Sequence, residues 1–153
     1  MANIVFNIAK GRVAELANLG AANDALILVL LKSSGLVADA TMRDYDDLAA
    51  VLAGASDECD FTGYTRRTLA SVTVTTDDSG DVNTVDAADP SAYTNSGGAS
   101  QAAGKALVCY DGDTTGGTDS NIVPLVALDC VLTFDVGVPT TVSFNASGIF
   151  QAA

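Results

Sequence analysis

The spacing of apolar residues changes character along the chain. Residues 1–20 read two ways. "IVFNI" alternates as a strand does, while "KGRVAELANLG" sets Val13, Leu16 and Leu19 at helical spacing, with Gly20 as a stop. The same segment also suits an extended arm that reaches a neighbour. Next comes "ALILVLL", Ala25 to Leu31, an unbroken apolar run. Its branched residues and short length predict a strand buried on both faces, closed by Ser33, Ser34 and Gly35. "MRDYDDLAAVLAGAS" is the clearest helix. Asp44 serves as N-cap, Asp46 and Asp47 occupy the first turn, Leu48, Val51 and Leu52 form one stripe, and Gly54 ends it.

Beyond residue 60 the period becomes two. Val72 and Val74 alternate with Thr73 and Thr75, Asp77 to Gly80 forms a turn, and "DVNTVD" returns as the second arm of a hairpin. "PSAYTNSGGASQAAG" reads as a polar loop and "KALVCY" as a strand. "NIVPLVALDCVLTFDVG" and "VPTTVSFNASGIFQAA" supply two or three more strands. No linker or fixed-period repeat divides the chain. The pattern predicts a mainly β protein with one or two helices (α+β), an antiparallel β-sandwich or barrel-like single domain. Residues 1–20 form its N-terminal segment and residues 21–153 the β-rich domain.

Composition narrows the functional classes. The chain has 153 residues, 48% of them hydrophobic, enough for one self-sufficient core. Seven basic against 19 acidic residues give a net charge of −12. Phosphate backbones and anionic membranes repel such a chain, so nucleic acid and membrane are not expected partners. A basic protein surface or a divalent cation suits it better, and the charge alone also favours solubility. The longest apolar run is too short to span a bilayer as a helix. The N-terminus lacks the basic start and apolar stretch of a leader, so synthesis in the cytoplasm is expected. Cys59, Cys109 and Cys130 show no metal-binding spacing and read as buried free thiols, with a Cys109–Cys130 disulfide as the other option.

Candidate chemistry is sparse. "CYDGDTTGGTDSNIVPL" packs Asp111, Asp113 and Asp119 between two apolar stretches. On an EF-hand pattern Asp111, Asp113, Thr115, Gly116 and Asp119 fall in place, but the last ligand position holds Ile122 and the flanks read as strands. A weaker calcium or magnesium site, built from the three aspartates with backbone carbonyls, remains a candidate; otherwise no cofactor is expected, calcium being the one possible. The competing reading is a turn, in which aspartates bond their own backbone and Gly112, Gly116 and Gly117 supply conformational freedom. Asp77, Asp78 and Asp81 flank the hairpin turn, and Asp57, Glu58 and Asp60 fall in a loop. Arg66 and Arg67 are candidates for partner binding, or else pair with nearby carboxylates such as Asp60. The chain contains no histidine, which removes Ser/His/Asp and Cys/His catalysis, and the glycines match no phosphate-binding motif. The tyrosines at 45, 64, 93 and 110 lack the spacing of a sugar platform.

Four phrases together, "NDALILVLLKSSGLVADATMRDYDDLAAVLA", "FTGYTRRTL", "CYDGDTTGGTDSNIVPL" and "ASGIFQAA", resemble a family of small structural proteins of tailed bacteriophages. The likeness covers most of the chain, and the loop from Asp111 to Asn121 is typical of that family. It carries no functional residue across. What it implies is a non-enzymatic virion protein, best placed as a capsid decoration (cement) protein. Such a protein would bind the major capsid protein lattice or other virion proteins as a homo-oligomer, for instance a trimer, on the capsid surface. A tail, connector or fibre component is the neighbouring expectation. From the residues alone, a calcium-dependent β-sandwich module for carbohydrate or host surface stays open. A hydrolase using carboxylates alone lacks a recognisable constellation.

Overall fold

The computed structural model describes residues 2–152. Its elements run β1 (Ile4–Val5), α1 (Val13–Ala17), β2 (Ala25–Lys32), α2 (Asp39–Met42), α3 (Leu48–Ala53), β3 (Arg67–Thr68), β4 (Thr73–Asp77), β5 (Val82–Asp86), β6 (Tyr93–Thr94), β7 (Gln101–Asp111), β8 (Ile122–Phe134), β9 (Pro139–Thr140) and β10 (Phe150–Ala152). The main sheet has the order β1-β8-β7-β2-β3, and each neighbouring pair is antiparallel. A second sheet, β10-β5-β4, and a short pair, β6-β9, complete the fold. The protein is mainly β, a sandwich-like α+β arrangement with short helices. Among the described residues the main sheet ends at β1 and β3, so it is an open sheet and not a closed barrel.

β2 is buried from Ala25 to Leu31, as an unbroken apolar run requires. Its partner β7 is buried from Ala103 to Cys109. The β4–β5 hairpin forms as the alternation predicts. Its turn is held by Asp77, whose Oδ1 accepts from the Ser79 and Gly80 amides at 3.0 and 3.1 Å. Residues 2–20 lie on their own domain. Ile4 and Val5 pair with Ala127 and Val126, and Phe6, Ala9, Val13 and Ala17 are buried.

Three local expectations are corrected. The clear helix starts at Leu48 and is capped by Asp47, whose Oδ1 accepts from Ala50 N at 2.7 Å, while Asp44 instead accepts from the Asn7 side chain. Asp47 has the extended backbone a cap needs, and the preceding residues form the separate helix α2. The first helix ends at Ala17, with Leu19 rather than Gly20 in the left-handed region at φ 49°. The polar stretch 90–104 is not all loop. Tyr93 in β6 is fully buried, in ring contact with Phe61, Tyr64 and Phe134. The three cysteines are buried and free, so the alternative disulfide does not form.

Register shifts mark two places. Pro124 in β8 lies beside one, where an N–H is missing. Gly104 lies at the other, where β8 places Cys130 and Val131 opposite this single residue of β7. A Cβ on Gly104 would sit 2.7 Å from Leu36 Cδ1 and 2.9 Å from Ser33 Cα. The leucine can rotate, but the backbone of Ser33 cannot. Gly104→Ala is expected to cost about 1–3 kcal/mol in urea unfolding. Gly20→Ala, which meets nothing within 4 Å, serves as the neutral control.

Candidate functional site

The Asp/Gly loop joins β7 to β8 and is organised by its own side chains. Asp111 Oδ1 accepts from Asp113 N at 3.1 Å, and Asp113 Oδ1 accepts from Thr115 N at 3.0 Å and from the Thr115 hydroxyl. Those bonds, the hydroxyl first, hold the Asp113 carboxyl below its ordinary range. Thr114 ties the loop to the end of the preceding turn through Asn23 O, at 2.9 Å from both its amide and its hydroxyl. Gly117 takes a positive φ of 91°, and Thr118 caps the short 3-10 turn Asp119–Asn121.

Asp119 is committed elsewhere. Its carboxylate and that of Glu58 grip the Arg66 guanidinium between them. Arg66 Nη2 donates to Asp119 Oδ2 at 3.0 Å and to Glu58 Oε2 at 2.7 Å, Nε donates to Glu58 Oε1 at 2.9 Å, and Nη1 donates to Asp119 Oδ1. Glu58 is placed by the chain beside β2, where Cys59 N donates to Leu30 O and Lys32 N to Asp57 O, both at 2.8 Å. Tyr64 fixes it further, donating its hydroxyl to Glu58 Oε1 at 2.8 Å while accepting from Leu30 N at 3.0 Å. The Glu58 hydrogen bond, then that of Asp119, raises the Arg66 pKa, and Arg66 in turn lowers that of Asp119. Burial, with the Glu58 charge, pushes the Tyr64 phenol up.

Of the sequence candidates, the structure therefore joins Arg66 to Asp119 and leaves Asp111 and Asp113 in their own turns. The three aspartates do not assemble as a calcium site, and no group of three metal-binding side chains forms among the described residues. Arg67 parts from Arg66. It lies in β3 with its guanidinium carbon 4.8 Å above the Tyr93 ring, a cation–π contact.

Sequence reasoning missed Lys105. This lysine is fully buried in β7, with Nζ 2.8 Å from Asp129 Oδ1, its cross-strand partner, and 3.0 Å from both Asp39 Oδ1 and Ala2 O. Asp39 Oδ2 also accepts from Ala2 N at 2.9 Å. That bond and Lys105 hold the Asp39 carboxyl below its ordinary range against the opposing effect of burial. The signal was a lone lysine inside the run "KALVCY". A cation in a buried strand requires carboxylates nearby.

These groups are arranged to hold backbone. The Cys59 and Cys130 thiols are pushed up to about 12 and about 11 by burial, and Cys109 is raised by the same cause, so all three are protonated at neutral pH. Two of the surface concavities flank these groups or β8. One is shallow and flanks Glu58, Phe61, Tyr64 and Arg66. The other, about 340 Å³, separates β8 from residues 141–144 and is lined mainly by Leu128, Cys130, Val131, Leu132, Val142 and Phe144. Comparison with known protein families, curated proteins and solved structures finds no match.

Arg66→Ala leaves two carboxylates unpaired and is expected to cost about 2–3 kcal/mol. Asp119→Asn should destabilise at pH 7. The folded Asp119 value lies below the ordinary 3.8, so the contribution of the bridge is complete above that value and is lost as pH falls through the lower folded one. The gap between wild type and Asp119→Asn in urea unfolding should therefore close below about pH 4. With Asp111 and Asp113 satisfied by their own loop, 5 mM Ca²⁺ (about that concentration) should leave the melting temperature unchanged. A rise abolished by Asp111→Ala would instead place a cation there.

Proposed function

We propose that the protein is a non-enzymatic virion structural protein, a capsid decoration protein that docks on the major capsid protein lattice as a homo-oligomer, such as a trimer. The observation that carries this reading is the separation of charge. Most of the cations are committed within the chain: Lys105 to Asp39 and Asp129, Arg66 to Glu58 and Asp119, Lys32 to Asp60, Arg12 to Glu15 and Arg67 to the Tyr93 ring, while Lys10 faces solvent. Asp44, Asp46, Asp57, Asp77, Asp78, Asp81, Asp89, Asp113 and Asp135 face solvent. An anionic shell of this kind favours docking on basic protein surfaces and keeps many copies apart in solution before assembly. The resemblance of the quoted phrases to structural proteins of tailed phages points the same way.

The site geometry adds support. Arg66, Asp119, Asp111 and Asp113 are used to fix loops, which suits a rigid docking subunit. Separation of purified virions into heads and tails, followed by mass spectrometry, tests the reading. The protein is expected in the head fraction. Recovery in tails alone would replace decoration with a tail role, and absence from both would remove the virion assignment.

A further inference from the structure

We propose that the apolar cleft beside β8, with exposed Val131 in its lining, seats an extended segment of a partner protein in which apolar side chains alternate with lysine or arginine. The large hydrophobic side chains that stand exposed among the described residues are Val131, Val136 and Val138, at 92%, 48% and 50% exposure. All three fall within one short stretch of chain, and Val131 also lines the cleft. Apolar surface concentrated in this way, beside a concavity, marks a contact site. The bulge opposite Gly104 explains it locally, because the extra residue in β8 leaves Cys130 buried and Val131 turned out.

The shape of the site favours an extended chain. A smaller cleft, lined by Ile4, Val5, Val126, Ile149 and Phe150, meets the first at Leu128, so apolar surface continues along β8. On its outer side β8 pairs with β1 only at Val126 and Ala127. Beyond that, Asn3 Oδ1 accepts from Asp129 N at 2.8 Å, and no strand pairs this edge among the described residues. From Leu128 to Leu132 the edge beyond β1 is roughly 16 Å long, room for a strand of about five residues, with the Asp129 amide already taken by Asn3. An edge of this kind accepts a polypeptide through main-chain hydrogen bonds, with side-chain pockets giving selectivity.

Charge selects the occupant. Residues 106–153 contain five aspartates and no lysine or arginine. Asp135 is exposed beside the valines, and exposed Asp89 accepts from Phe144 N at 2.7 Å, on the wall of the cleft. Asp129 also lines the cleft and is matched by Lys105, so the charge left over around the cleft is negative. A second copy would bring the same negative charge against this one, whereas a segment with basic residues flanking its apolar ones meets opposite charge.

This inference deepens the docking reading and rests on it for the partner being a protein. The probe is a blocked heptapeptide alternating lysine and valine, compared with versions carrying glutamate for lysine or serine for valine. Anisotropy titration and amide NMR shifts give the readout. The lysine–valine peptide should bind, with shifts confined to β8 and residues 136–144, and the other two should not. Val131→Asp should weaken binding about tenfold. The exposure of Val131 leaves the fold intact, which circular dichroism checks, and the milder Val131→Ser gives the same test should Val131→Asp unfold. Absence of binding, equal binding of the glutamate peptide, or shifts elsewhere would overturn the proposal. So would self-association in sedimentation that Val131→Asp abolishes, since a second copy would then be the occupant. If Val131→Asp protein still decorates particles like wild type, this seat is wrong and the docking reading stands. If the protein is absent from particles yet peptide binding maps to β8, the docking reading falls and the seat remains.

Discussion

A strand buried on both faces cannot tolerate water on either side, and β2 imposes that condition on the whole fold. Burial from Ala25 to Leu31 requires cover above and below the main sheet as well as paired edges. β7 supplies one edge, and β3 with residues 57–59 the other. β7 in turn carries Lys105 into the interior, where an unmatched ammonium would be prohibitively unfavourable. Asp129 from β8, Asp39 from α2 and the Ala2 carbonyl converge on it. One apolar run thus dictates the sheet, and one charged interruption in its neighbour helps to dictate what packs around the sheet.

Arg66 works similarly on the opposite side of β2. It joins a loop held against that strand to the Asp/Gly loop 53 residues away in sequence. An acidic, glycine-rich segment resembling a cation-binding loop is thereby given a structural role, with an arginine taking the place a metal would have held at Asp119. The adjacent Arg67 lies over Tyr93, so the paired arginines do not form a joint basic patch.

Patterns that depend on neighbours in sequence were readable directly. The continuous run of β2, the alternation and Asp-rich turn of β4–β5, and the stripe of Leu48 and Val51 needed only periodicity and turn chemistry. What escaped depended on distant parts of the chain. Asp44 and Asp47 are both good caps in isolation, and the fold selects Asp47 because the residues before Asp44 form their own helix. Tyr93 sits in a polar stretch and is buried only because Phe61, Tyr64 and Phe134 meet there. The Arg66 bridge and the Lys105 cluster likewise join residues far apart in sequence. Their individual charges were visible, but their pairing was not.

The order of strands in the main sheet also has a temporal side. β7 and β8 are sequence neighbours, but β2 must wait for β7, whose first residue follows the end of β2 by nearly seventy positions. At translation rates of roughly 5–20 residues per second, that gap lasts about 3–14 s. During it the greasiest stretch of the polypeptide has one open edge outside the ribosome, where an equivalent stretch from a neighbouring nascent chain can add to it. High-level synthesis therefore exposes the chain to competition between self-completion and aggregation, and a holdase acting before residue 101 emerges would shift that balance towards the native sheet.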